Sequence, residues 1–96
     1  MPHAYIIVNS TISNPEQYTA YRQIASKAIE AYGAEVCIRG GEIEVLEGDW
    51  TPDRVVLLKF PSTQRAREFY NSPEYSLARQ AREGAAVMRM VLVEGI

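Results

Sequence analysis

Ninety-six residues, 47% apolar and 23% charged, fit one ordinary soluble domain spanning residues 1–96. A chain of this size buries roughly 60–65% of its unfolded surface, so its core is modest and an interface with a second copy would add to it. The net charge of −2 gives no footprint for nucleic acid or an anionic membrane. No apolar run approaches the roughly 18–20 residues of a membrane span, and Met1-Pro2-His3-Ala4-Tyr5 lacks the basic stretch that opens a secretion leader. One cysteine, Cys37, cannot form an intrachain disulfide, which suits a reducing, cytoplasmic setting.

Ala4 to Val8 reads as the first strand, and Tyr5-Ile6-Ile7-Val8 is apolar on both faces, so cover is expected on both sides. Asn14-Pro15 starts a helix, with the cap at Asn14 and proline at the first helical position. Tyr18, Tyr21, Ala25, Ala28, Ile29 and Tyr32 recur at spacings of three and four and form the apolar face of that helix. Gly33 suits the left-handed residue after the helix end. Ala34 to Arg39 reads as a second strand and Glu42 to Glu47 as a third, with Gly40-Gly41 as a two-residue hairpin turn between them. Gly48 to Asp53 is a loop, and Arg54 to Phe60 a fourth, buried strand.

Pro61 ends that strand for want of an N–H. Ser62 caps a helix whose stripe is Ala66, Phe69 and Tyr70. Asn71-Ser72-Pro73 breaks it and starts another, since the residue before proline leaves the α region. Leu77, Ala78 and Ala81 are the expected inner face, and Gly84 the end. Val87 to Glu94 is the last strand, with Met88, Met90 and Leu92 on one face and Val91 and Val93 on the other.

This order, β-α-β-β-β-α-α-β, is that of an α+β ferredoxin-like antiparallel sheet with helices on one face and one extra strand or extended hairpin. The first, fourth and last strands are apolar on both faces. Helices account for one of them, and a second copy in a two-fold homodimer would cover the other.

The chain resembles the domain-of-unknown-function 1330 family of the dimeric α/β-barrel superfamily. The resemblance is carried by Tyr5-Ile6-Ile7-Val8, Tyr18 with Tyr21, Tyr32-Gly33, Arg39-Gly40-Gly41, Glu47-Gly48-Asp49-Trp50, Phe60-Pro61-Ser62, Ala66, Tyr70, Ser72-Pro73-Glu74-Tyr75, Arg79 and Val93-Glu94-Gly95. It implies a ferredoxin-like fold whose sheet packs on that of a twin to form a barrel. Ala34 and Glu35 depart from the glycine and basic residue common there, and Phe69 stands where tryptophan is common. The superfamily includes cofactor-free monooxygenases, isomerases and haem enzymes, so the resemblance lends no mechanism.

Four side chains are candidates for a ligand pocket: Arg39, Trp50, Tyr18 and Phe69. Arg39 ends a strand beside two glycines that allow close approach, and its fork can hold a carboxylate. Against that stands an ion pair with Glu42, Glu44 or an acid of a second copy. Trp50 would lid a pocket or anchor an interface. Tyrosines at helical spacing are core or rim by default, although a buried hydroxyl needs a partner and could line an apolar pocket. His3, the single histidine, sits beside a terminus with no visible partner for base catalysis. Cys37 reads as a small buried hydrophobe. No Cys/His cluster, phosphate loop or nucleophile elbow is present, so no metal or cofactor is expected and catalytic residues are unassigned. Arg65, Arg67, Arg79, Arg82 and Arg89, interspersed with acids, read as solvated helix faces.

Three kinds of function fit: a small homodimeric binding protein with a modest pocket between helices and sheet, a cofactor-free oxygenase or isomerase acting on a small aromatic or carbonyl compound, and an interaction domain without ligand. A void beside Arg39 separates the first two from the third.

Overall fold

The computed structural model describes residues 2–96. The elements are β1 (Ala4–Ile12), α1 (Pro15–Ala31), β2 (Glu35–Arg39), β3 (Val55–Phe60), α2 (Thr63–Tyr70), α3 (Pro73–Ala81) and β4 (Ala86–Glu94). The strands form one antiparallel sheet in the order β2-β3-β1-β4, with β1 and β3 at its centre. The connection β1-α1-β2 skips one strand, which lets β3 pair between β1 and β2. This is the ferredoxin-like arrangement expected from the sequence.

The helix starts follow from their caps. The Asn14 side chain accepts from the Gln17 N–H at 3.1 Å, Ser62 Oγ from the Arg65 N–H at 3.1 Å, and Ser72 Oγ from the Tyr75 N–H at 3.1 Å. Pro15 and Pro73 occupy first-turn positions where their missing N–H is not needed. Ser72 also donates to the Phe69 carbonyl at 2.7 Å, so one hydroxyl joins the end of α2 to the start of α3. Gly33, at φ +70°, follows α1, and the Gly33 and Ala34 N–H groups return to the Glu30 and Ile29 carbonyls.

Ala4, Ile6, Val8 and Ser10 alternate toward the helices, joined by Leu58 and Phe60 of β3. Ala66, Phe69, Tyr75 and Ala78 pack on them, all at most 1% exposed. Phe69 has ring centroids of Tyr75 at 4.6 Å and Phe60 at 5.1 Å. The opposite sheet face is uncovered: Val87, Val91 and Val93 are 63%, 56% and 45% exposed.

Two sequence expectations are corrected. Glu42 to Glu47 forms no strand, and Gly40-Gly41 no hairpin turn; residues 41–54 run as an exposed loop in which only Gly40, of that pair, has positive φ. The alternation Glu42-Ile43-Glu44-Val45 is strand-like and β2 is an edge strand with its outer side free, but Gly40, at positive φ, stays bonded to the Val55 carbonyl and the residues after it leave the sheet without pairing. Leu77 is 58% exposed rather than on the inner face of α3, which is built from Tyr75 and Ala78. β1 also runs past Val8, because Ser10 to Ile12 continue the pairing with Met88 to Ala86. Among the described residues, no helix is long and apolar enough to cross a membrane.

Candidate functional site

Helix α1 packs chiefly on α3 and does not close onto the sheet beneath it. Ala25, a small side chain on its buried face, leaves room there. The result is an open cleft of about 310 Å³ between α1 and the helix-facing side of the sheet. Its floor is built by strand register. Arg39 pairs with Val56, Val56 with Val8, and Val8 with Met90, so these four residues form one row across all four strands. All four line the cleft, as do Val36, Leu58 and Met88 on neighbouring rows. The roof is Tyr18, Tyr21, Arg22, Ala25 and Ile29, and Tyr75 closes the end nearest α3.

Arg39 reaches this floor through a β-bulge. The register of β2 against β3 shifts between Val36 and Ile38, leaving Cys37 as the extra residue. Cys37 is exposed there rather than buried. Gly40 then turns the chain at φ +66°, its N–H donating to the Val55 carbonyl at 2.8 Å. A side chain at Gly40 would meet Arg54 Nε at 2.7 Å, so glycine is required both by the backbone and by the arginine lying against it. Arg54 lines the cleft beside Arg39, its guanidinium carbon 5.9 Å from the Tyr18 ring centroid. Neither arginine is in an ion pair; among the described residues the salt bridge found is Arg65–Glu68, on the surface of α2. The expected competitor for Arg39, a bridge to Glu42 or Glu44, is therefore not formed.

At the other end lies a pair of phenols. Tyr21 Oη and Tyr75 Oη are 2.8 Å apart and buried, and Tyr75 Oη is 3.8 Å from Met90 Sδ. Burial raises both hydroxyls above the ordinary phenol range, most strongly Tyr21, which the neighbouring Tyr75 pushes up further. The pair is thus neutral near pH 7 and can donate hydrogen bonds but cannot act as a base. The Arg82 guanidinium lies 5.4 Å from the Tyr21 ring centroid.

Of the four candidates from sequence, Arg39 and Tyr18 meet in the cleft. Phe69 is fully buried in the aromatic core and Trp50 is 63% exposed on the loop, neither lining the cleft. His3 lies outside it as well. Sequence reasoning did not find Arg54, Tyr75, Met88 and Met90, which arrive from distant segments through sheet register and helix packing. Nor did it find that several arginines stack on tyrosines, with Arg65 4.6 Å from the Tyr32 ring and Arg79 4.6 Å from the Tyr70 ring. Among the described residues, no group of three or more His, Cys, Asp or Glu side chains is placed to hold a metal ion.

The fold recurs in solved structures. A protein of unknown function from Rhodopseudomonas palustris superposes with a TM-score of 0.78 at 22% identity, over 99% of this chain and 83% of that one. SnoaB, a cofactor-independent oxygenase from Streptomyces nogalater, gives 0.61 at 9% identity, over 96% and 91%. A dimeric protein of unknown function and ferredoxin-like fold from Bacteroides fragilis gives 0.57 at 16%, over 96% and 95%. At these identities the likeness is one of fold. Among curated proteins, none matches the chain. Residues 3–96 match the domain of unknown function DUF1330, and the chain belongs to that family.

Proposed function

We propose that this chain is a homodimeric small-molecule-binding protein of the cytoplasm, folded as one domain over residues 1–96, whose cleft takes a ligand with an anionic group and an apolar body. The observation that carries this is the pair of arginines, Arg39 and Arg54, without acidic partners at one end of an apolar cleft of about 310 Å³. A guanidinium fork offers a carboxylate two parallel hydrogen bonds, and Val8, Val56, Leu58 and Ile29 offer an apolar body its contact area. A domain built only for interaction would have no reason to leave this void beside an unpaired arginine. The uncovered sheet face, with Tyr5, Ile7 and Leu57 beside the exposed Val87, Val91 and Val93, supports the dimer. So does the dimeric neighbour from Bacteroides fragilis. The chemistry supplies no reason to add a nucleic acid or membrane partner.

A second reading is a cofactor-independent oxygenase or isomerase acting on an aromatic or carbonyl compound. It is favoured by the neutral Tyr21–Tyr75 pair, which could donate to an oxygen that gains negative charge, and by the oxygenase among the structural neighbours.

Two measurements test the main reading. Sedimentation equilibrium at micromolar concentration should give twice the 10.8 kDa chain mass, and Val91→Asp should give the monomer. A thermal-shift screen of small aromatic carboxylates should raise the melting temperature of the wild type. Arg39→Lys should reduce the shift and Arg39→Ala reduce it more. A hit that stabilises wild type and Arg39→Ala equally would show that Arg39 is not part of the site.

A further inference from the structure

The cleft has two polar ends, and the ligand-binding reading above uses one of them. Arg39 and Met90 stand at opposite ends of a single row across the sheet. Three strand spacings separate them, about 14 Å between backbones. The floor between is Val56 and Val8, both apolar. At the Met90 end, two hydroxyls lie 2.8 Å apart. Each phenol carries one hydrogen. Whichever hydroxyl donates to the other, one hydrogen is left over. When Tyr21 donates to Tyr75, that hydrogen is on Tyr75 and its acceptor is the Met90 thioether at 3.8 Å, which accepts weakly; when Tyr75 donates, it is on Tyr21. A strong donor is therefore held on the cleft lining by a poor partner, beside the Arg82 guanidinium 5.4 Å from the Tyr21 ring and across the sheet floor from Arg39.

We propose that the cleft recognises a small aromatic monocarboxylic acid that bears a second oxygen, hydroxyl or oxo, at the end of the ring remote from the carboxylate. The carboxylate lies on Arg39 and Arg54, the ring lies over Val56 and Val8 beneath Tyr18 and Ala25, and the remote oxygen accepts from the Tyr21–Tyr75 pair. This assignment rests on the ligand-binding reading and adds to it the far end of the ligand. Burial keeps both phenols protonated, which is the state the assignment needs. A ligand oxygen displaces sulfur as acceptor and leaves the bond between the two tyrosines intact.

The test compares cinnamate with para-hydroxycinnamate by isothermal titration against wild type, Tyr75→Phe, Tyr21→Phe and Arg39→Ala. The two acids differ by one oxygen at the required end. Wild type should bind the hydroxy acid about three- to tenfold more tightly, the range of one net hydrogen bond. Tyr75→Phe and Tyr21→Phe should each bring the two acids toward equal affinity, since each removes one hydroxyl of the pair. Each keeps its ring, so if one variant fails to fold the other carries the comparison. Arg39→Ala should weaken both acids by the same factor. Equal affinity of wild type for the two acids would overturn recognition of the far oxygen and leave the ligand-binding reading standing. A preference that survives in both phenylalanine variants would also overturn it. Binding of neither acid to wild type would overturn the proposal together with the aromatic-carboxylate reading on which it rests.

Discussion

The helix layer of this protein is closed at one end and open at the other. Under α2 and α3, Phe69, Phe60 and Tyr75 interlock with ring centroids 4.6–5.1 Å apart, and no residue of that cluster is more than 1% exposed. Under α1, the same sheet face carries residues of similar character, Val8, Val56 and Leu58, but the helix above presents Ala25 between Tyr18, Tyr21 and Ile29, which ring the space, where α2 presents Phe69. The sheet does not change between the two regions; what stands at the centre of the facing layer does, a ring at Phe69 and a methyl at Ala25. Around the ring, a core forms with no room for solvent. Over the cleft, the helix is held by its contact with α3 and by Gln17 Nε2, which donates to the Ala81 and Glu83 carbonyls at 3.0 and 2.7 Å, and the space stays open. The closed core and the open cleft thus share one layer, with Tyr75 at their boundary.

The largest way to break this contrast is Phe69→Ala. It removes the ring at the centre of the closed end and should destabilise the protein by about 3–5 kcal/mol, measured by urea unfolding. A loss under about 1 kcal/mol would mean that the closed end is not the main core. A paired comparison is smaller and sharper. Ala78→Leu adds volume where there is none to spare and should cost about 1–3 kcal/mol. Ala25→Leu points its added atoms into the cleft, so it should leave stability nearly unchanged and abolish the thermal shift proposed for aromatic carboxylates. If the two leucine variants lose the same stability, the cleft is not a void the fold tolerates.

The smallest effect concerns pH. Burial raises the Tyr21 hydroxyl above the phenol reference of about 10. The folded state therefore holds a proton that the unfolded chain releases near pH 10. The stability this represents is complete below about pH 10 and is lost as the pH rises further. The stability difference between wild type and Tyr21→Phe should accordingly be constant to about pH 9 and shrink in favour of the variant above about pH 10, as read by denaturant midpoints across that range.

Local chemistry was legible in the sequence; convergence was not. The caps at Asn14, Ser62 and Ser72 and the stop at Gly33 are decided by hydrogen bonds within four residues, and they fold as read. The face of α1 follows from its spacing, with Tyr18, Tyr21, Ala25 and Ala28 buried. Glu42 to Glu47 shows the limit of such reading: its alternation is that of a strand, but a strand exists only where it pairs, and the segment leaves the free edge of β2 unused, which no short window reveals. Leu77 failed for a related reason, since the phase of a nine-residue helix is fixed by what it packs on and not by its most apolar residue. Within the cleft, Arg39 and Tyr18 were visible because each stands beside a local signal, a glycine turn and a helical stripe. Arg54, Tyr75 and Met90 lie 15 to 51 residues away from Arg39 along the chain, and only the sheet register brings them to the same cavity.

The extra residue in β2 has an effect that reaches beyond local twist. In an unbroken strand, odd and even positions look in opposite directions, so Val36 and Arg39, three apart, would point to different sides of the sheet. Cys37 changes the parity. Val36 opposite Leu58 and Arg39 opposite Val56 come to share one side, while Ile38, opposite Leu57, is turned out and left 41% exposed. If Cys37 were instead taken into a regular ladder, Ile38 would face Val56 and Arg39 would leave the cavity for the sheet's other surface. Removing Cys37 altogether would keep Arg39 where it is. Whether this cavity is charged or wholly apolar is therefore set by counting rather than by residue type: the chain spends one uncounted position to place a cation where its own alternation would have placed isoleucine.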